Sequence, residues 1–162
     1  MNDRYTRANR GARNSAERVQ DVWKGPYLEG GYFDQDGNIR LNLVSRETMS
    51  GLAREMAAAY PRLTIHQLRR FFGHGRAVEA RLRAIQAGEA EDRWKVVAAD
   101  FAKLDIAASD AAGKSEPKIP RLFEDFIKCN VRTVRSSKDF LDGFLPHFEA
   151  LVGFGAREFK ER

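Results

Sequence analysis

Arg69, Arg76 and Arg83 recur at intervals of seven, and Arg70, His74 and Arg81 form a second row about a third of a helical turn away. A guanidinium presents several N–H donors in a fixed fork that fits a phosphate. Two such rows on a helix about 33 Å long, at ~1.5 Å per residue, would follow several nucleotides of a strand. Contacts of this kind position a nucleic acid without reading its bases. A plain solvated helix face is the alternative reading of the same pattern. Lys128, Arg132 and Arg135, towards the end of a later helical pattern, would extend the basic surface if the bundle brings them alongside.

Catalytic chemistry is poorly supplied. Asp100, Asp105, Asp110, Glu124 and Asp125 are spaced as solvated faces are, and His66 and His74 lack a partnered acid. The three histidines and the single Cys129 form no metal-ligand spacing. There is no phosphate-binding glycine loop and no dinucleotide fingerprint. No catalytic residue, no metal and no cofactor is expected.

The chain has 162 residues, enough for one domain with one substantial core. Its net charge of +5 and pI near 9.6 favour an anionic partner. No apolar run approaches the ~20 residues a spanning helix needs, so nucleic acid is expected before membrane. The N-terminus lacks the apolar core of a signal peptide, and a lone cysteine excludes an internal disulfide. A reduced thiol in a cytoplasmic protein follows.

These residues need helices to hold them. Thr64 followed by Gln67 is a capping box, and Pro61 closes the preceding element. From there Ile65, Leu68, Phe71, Phe72, Val78, Leu82 and Ile85 share one face, which leaves the arginines off it. Gly73 and Gly75 mark either a kink or a close approach of another segment.

Upstream, residues 1–26 read as a basic flexible arm, with arginines at 4, 7, 10 and 13 that would share a helix face if it folded on an anionic partner. Between Tyr27 and Val44, turn residues at 36–38 and alternating Ile39, Leu41 and Leu43 predict a hairpin or extended segment. Ser45 then caps a helix burying Met49, Leu52, Ala53, Met56 and Tyr60.

Downstream, Trp94, Val97, Ala98, Phe101 and Leu104 define another helix, and Ser109 to Pro120 an irregular connection. Leu122, Phe123, Phe126, Ile127, Val131 and Val134 define the next. Ser136 or Ser137 starts the last, whose phenylalanines fall at core spacing and which Pro146 must kink or split. The fold expected is all-α, a single compact bundle of about five helices over 27–157, with a short extended N-terminal segment and a C-terminal tail at 158–162.

Several motifs occur in order: Gly31-Tyr32-Phe33-Asp34, Asp36-Gly37-Asn38, Leu63-Thr64-x-x-Gln67-Leu68-Arg69-x-Phe71-Phe72, Ile119-Pro120, and Phe148-Glu149-Ala150-Leu151-Val152. In this the chain resembles the small subunit of the type III-A CRISPR effector, the Csm small subunit, over roughly Tyr27 to Arg157. The resemblance implies a non-catalytic helical subunit of an antiviral effector. It would stack in several copies beside the other subunits and help hold the guide RNA and target RNA duplex.

Carried onto this sequence, the motif's arginine is Arg69, with Arg70 and Arg76 on the same helix. The chain departs from the family's third segment at Phe101-Ala102-Lys103-Leu104 and Ala111-Ala112-Gly113-Lys114, and from its closing motif at Phe154-Gly155-Ala156-Arg157. The resemblance therefore assigns no role to Lys103, Lys114 or Arg157. A helix-turn-helix DNA-binding regulator is the rival reading, with Thr64 to Phe72 opening the recognition helix after a short turn.

Overall fold

The computed structural model describes residues 16–86 and 88–159. Six α-helices lie among them: α1 (Val19–Val22), α2 (Arg46–Ala58), α3 (Ile65–Ala84), α4 (Ala90–Gly113), α5 (Arg121–Thr133) and α6 (Leu145–Gly155). No β-strand is present among the described residues; Phe33 and Ile39 form a single antiparallel bridge. α4 packs between α3 and α5, while α6 packs against α2 and α3. The result is the all-α bundle expected.

The Thr64–Gln67 capping box starts α3: the Gln67 N–H donates to Thr64 Oγ1 at 3.2 Å, and the Thr64 N–H donates to Gln67 Oε1 at 2.9 Å. Two orphan donors of the first turn are thereby satisfied. α3 runs through both glycines without a break. A Cβ on Gly75 would stand 3.4 Å from Leu145 Cδ2, so this glycine marks close approach to α6, whereas Gly73 faces open space.

The core is dominated by phenylalanines. Phe140, Phe144 and Phe148 are fully buried at intervals of four, with ring centroids 5.9 and 5.6 Å apart. They come from a π-helical turn over Asp139–Phe144 that leads directly into α6. The run is divided between Phe144 and Leu145, and Pro146 sits in the first turn of α6, where no intrahelical N–H is required. Gly143 is required by contact: a Cβ there would lie 2.5 Å from the Tyr32 ring.

Five details differ from the sequence expectation. Within the stretch expected as an arm over 1–26, Val19 and Trp23 are buried, and the Val19 N–H donates to Asp125 on α5 at 2.8 Å. Residues 1–15 lie outside the described residues. Within the tail expected over 158–162, Phe159 is buried against Gly155, and Glu158 pairs with Arg54; residues 160–162 lie outside the described residues.

Leu41 is 77 % exposed, because a 3-10 turn over Leu41–Leu43 breaks the alternation and buries only Leu43. Tyr60, 86 % exposed, escapes the apolar side of α2 because that helix ends at Ala58. Finally, the connection expected from Ser109 is helical as far as Gly113. Ala108 and Ala112 extend the buried face of α4, and alanine favours helix wherever it can pack.

Candidate nucleic-acid interface

All five arginines of α3 are exposed, yet they stand in different electrostatic settings. Arg76 pairs with Glu79 at 2.8 Å and with Glu149 of α6 at 3.5 Å, and its guanidinium lies over the Phe72 ring, 5.1 Å from the centroid. Arg83 pairs with Glu79 at 3.4 Å. Arg81 pairs with Asp100 of α4, which also takes Lys103 at 3.2 Å. Arg69 and Arg70 have no ion-pair partner among the described residues. The first two turns of α3 thus present uncompensated charge, and the last turns present charge spent on Glu79 of the same helix and on carboxylates of α4 and α6.

Arg70 belongs to a cleft between α3 and α4, about 510 Å³ in volume, whose wall also includes Phe71, His74, Lys114 and Lys118. Its floor is apolar, from Leu104, Ala107, Ala111 and Ile119, and no carboxylate lines it. The segment that closes it is held on both sides. The Lys118 N–H donates to the Ala111 carbonyl at 2.8 Å, and the Gln67 side-chain amide donates to the Lys118 carbonyl at 2.9 Å. Gln67 therefore both caps α3 and pins the 114–120 connection against it.

His74 Nε2 lies 2.9 Å from the Asp100 carbonyl, which can only accept, so this nitrogen carries the proton. Burial, then the nearby Lys103 charge, lowers its pKa from the ordinary histidine value and favours the neutral ring.

Lys128 and Arg132 line a different groove, between α4 and α5, together with Asp105, Asp110 and Glu124. Lys114 lines both this groove and the α3–α4 cleft that holds Arg70. Arg135 is exposed beyond the end of α5. Among the residues left without an implied role, Lys103 pairs with Asp100, Lys114 with Asp110 at 3.2 Å, and Arg157 is exposed.

Sequence reasoning missed Lys118, whose position depends on the fold of a connection, and it missed a buried polar cluster. The Tyr32 hydroxyl donates to Asn130 Oδ1 at 2.8 Å, and Asn130 Nδ2 donates to the Tyr27 hydroxyl at 3.0 Å and to the Phe126 carbonyl at 2.8 Å. The Tyr27 hydroxyl in turn meets His147 Nε2 at 2.8 Å, and His147 Nδ1 meets the Leu43 carbonyl at 2.7 Å. Nδ1 must carry the proton to reach a carbonyl, which leaves Nε2 to accept from Tyr27.

Every member has its partner, and the cluster ties residues 27–43 to α5 and α6. Burial lowers the His147 pKa to about 4 and raises those of Tyr27 and Tyr32 well above the ordinary value. The available signal was Asn130, a polar residue one turn on from Phe126 and Ile127 on the apolar face of α5.

The helix-turn-helix alternative fails on geometry. α2 packs on α6 and does not form a closely packed pair with α3, and the six residues between them bend at 59–61. No helix is long and apolar enough to cross a membrane, and no group of acidic, histidine or cysteine side chains suited to a metal ion occurs among the described residues.

Fold and surface together define a small helical bundle with a basic, partly uncompensated helix and an adjoining cleft. The family Csm2 Type III-A matches residues 45–159, from the cap of α2 to the last buried residue, Phe159. The chain belongs to this family and is a subunit of a type III-A CRISPR effector, with the other effector subunits as its partners. The Tyr27–Val44 segment, which contributed two of the motifs of the resemblance, lies outside the match. No curated protein and no solved structure matches the chain.

Proposed function

We propose that this chain is a non-catalytic RNA-binding structural subunit of the effector, stacking in several copies along the guide–target RNA duplex. α3 contacts target-strand phosphates, with sequence recognition left to the guide. The observation that carries this reading is the adjacent pair Arg69 and Arg70, exposed and without ion-pair partners among the described residues, on a helix inside the matched family region. Uncompensated cations release counterions on binding phosphate, and an arginine already paired with a carboxylate does so less. In the same reading Arg76, Arg81 and Arg83 contribute less than Arg69 and Arg70, and Lys128, Arg132 and Arg135 form a second, separate basic surface.

The test is the salt dependence of target-RNA binding by the assembled effector and by the full chain. Replacing Arg69 and Arg70 with alanine should flatten the log–log slope by about 1.4, at ~0.7 per single-strand phosphate. All sequences should weaken alike, and the melting temperature should hold. An unchanged slope in both settings would overturn the reading; loss of assembly with RNA affinity intact would reassign the arginines to contacts between subunits.

A further inference from the structure

The α3–α4 cleft has a shape and chemistry that a backbone-tracking surface does not need. Phosphates can be held by exposed side chains on a convex helix, as Arg69 is placed to do. The cleft is concave, and its volume of about 510 Å³ lies within the ~300–1,000 Å³ of ordinary ligand pockets. Its chemistry is divided. Arg70 and Lys118 stand on its wall without carboxylate partners among the described residues, and the Lys114 ammonium, shared with Asp110, adds to the same side. The floor is aliphatic, and the half-exposed ring of Phe71 gives it an aromatic surface.

The wall is also organised in advance. The Lys118 backbone is hydrogen-bonded to α4 through Ala111 and to α3 through Gln67, so closing the cleft requires no ordering of that connection.

Charge above an aromatic and aliphatic floor, with no carboxylate, fits one ligand chemistry: an anion joined to a flat apolar body. We propose that the cleft seats a single unstacked nucleotide of the bound RNA strand, its phosphate held by Arg70 and Lys118 and its base lying on Phe71 and the α4 alanines. This rests on the RNA-binding reading above and adds a subsite to it. Base contact with a ring is tolerant of sequence, because every base has a flat face. The subsite would therefore fix the register of the strand on the subunit without selecting a base. Neutral His74, with Nε2 committed to Asp100, leaves Nδ1 as a lone-pair acceptor on the same wall.

The experiment fills the cleft while keeping every charge. Ala107 lies exposed on the cleft floor, so Ala107→Trp occupies the space of the base without entering the core. Binding of a fluorescent twelve-nucleotide oligouridine to the full chain should weaken about tenfold, the order of one lost base–aromatic contact, with the melting temperature unchanged. Lys118→Glu should weaken it at least as much, and carries the test if Ala107→Trp alters the fold.

Arg69→Ala, outside the cleft, separates the two readings. If Arg69→Ala weakens binding while both cleft variants stay within twofold of the parent chain, the nucleotide subsite is wrong and the basic helix stands. If none of the three weakens binding, in the full chain and in the assembled effector alike, or neither binds its RNA, both fall. Addition of uridine 5′-monophosphate should perturb the amide resonances of Lys118 and Ala107 in the full chain more than the same concentration of inorganic phosphate; equal perturbation would overturn the base half of the site.

Discussion

The two halves of α3 carry the same side chain on the same kind of exposed surface and differ in what their neighbours offer. Arg69 and Arg70, near the helix start, face no carboxylate among the described residues, whereas Arg76, Arg81 and Arg83 meet Glu79, Glu149 and Asp100. The second half is tied to α4 and α6, and the first borders an open cleft. An arginine stripe is therefore not one functional unit. Where α3 itself or a neighbouring helix supplies an acid, the charge is spent within the bundle; where none does, it remains available to a partner.

The largest effect that would disturb this comparison lies beneath both halves. His147 anchors α6, on which α3 packs, and burial holds its pKa near about 4. A histidine whose folded pKa is lowered gives stability that is complete above the unfolded value of roughly 6.5 and is lost as pH falls towards the folded value. The loss should approach roughly 3 kcal/mol by pH 4, at ~1.4 kcal/mol per unit. Once protonated, Nε2 can no longer accept from Tyr27, whose hydroxyl is left without an acceptor. Denaturant titrations between pH 7 and 4 should show this; a flat profile would mean that His147 is not buried and neutral.

Next in size is the start of the unpaired half. Thr64→Ala removes one side of the capping box and should cost about 0.5–2 kcal/mol. Because Gln67 also pins Lys118, the 114–120 connection should gain amide-exchange rate in the same variant. A change below ~0.2 kcal/mol would place the beginning of α3 elsewhere.

In the paired half, Arg81→Ala should destabilise the fold by about 0.2–1 kcal/mol, the range of exposed ion pairs, and less at high salt. The comparison sharpens if Arg69→Ala, measured beside it, leaves the melting temperature unmoved. The smallest effect expected is that of Arg83→Ala on RNA affinity, under twofold, since Glu79 already offsets that charge. A loss equal to that of Arg69→Ala would erase the distinction between the halves.

The sequence by itself determined the helical class, the capping box at Thr64 and Gln67, and the buried phenylalanine series. Each of these is written in short-range periodicity, or in a pair of residues three apart, and a helix repeats on that scale. It also carried the family resemblance through the segment beginning at Leu63. The pairs of Arg76 and Arg83 with Glu79 are local, three and four positions apart, but only the tertiary structure decided that Arg76 also meets Glu149, 73 positions away, and that Arg81 meets Asp100 of α4.

The same holds for the placing of Lys128 and Arg132 in one groove and Arg70 in another, and for Lys118, whose place on the cleft wall depends on hydrogen bonds to Ala111 and Gln67. It holds too for the burial of Val19 and Trp23 in a stretch whose charged composition reads as an arm. Burial is set by what the rest of the chain leaves uncovered, and that is known only once the helices have packed.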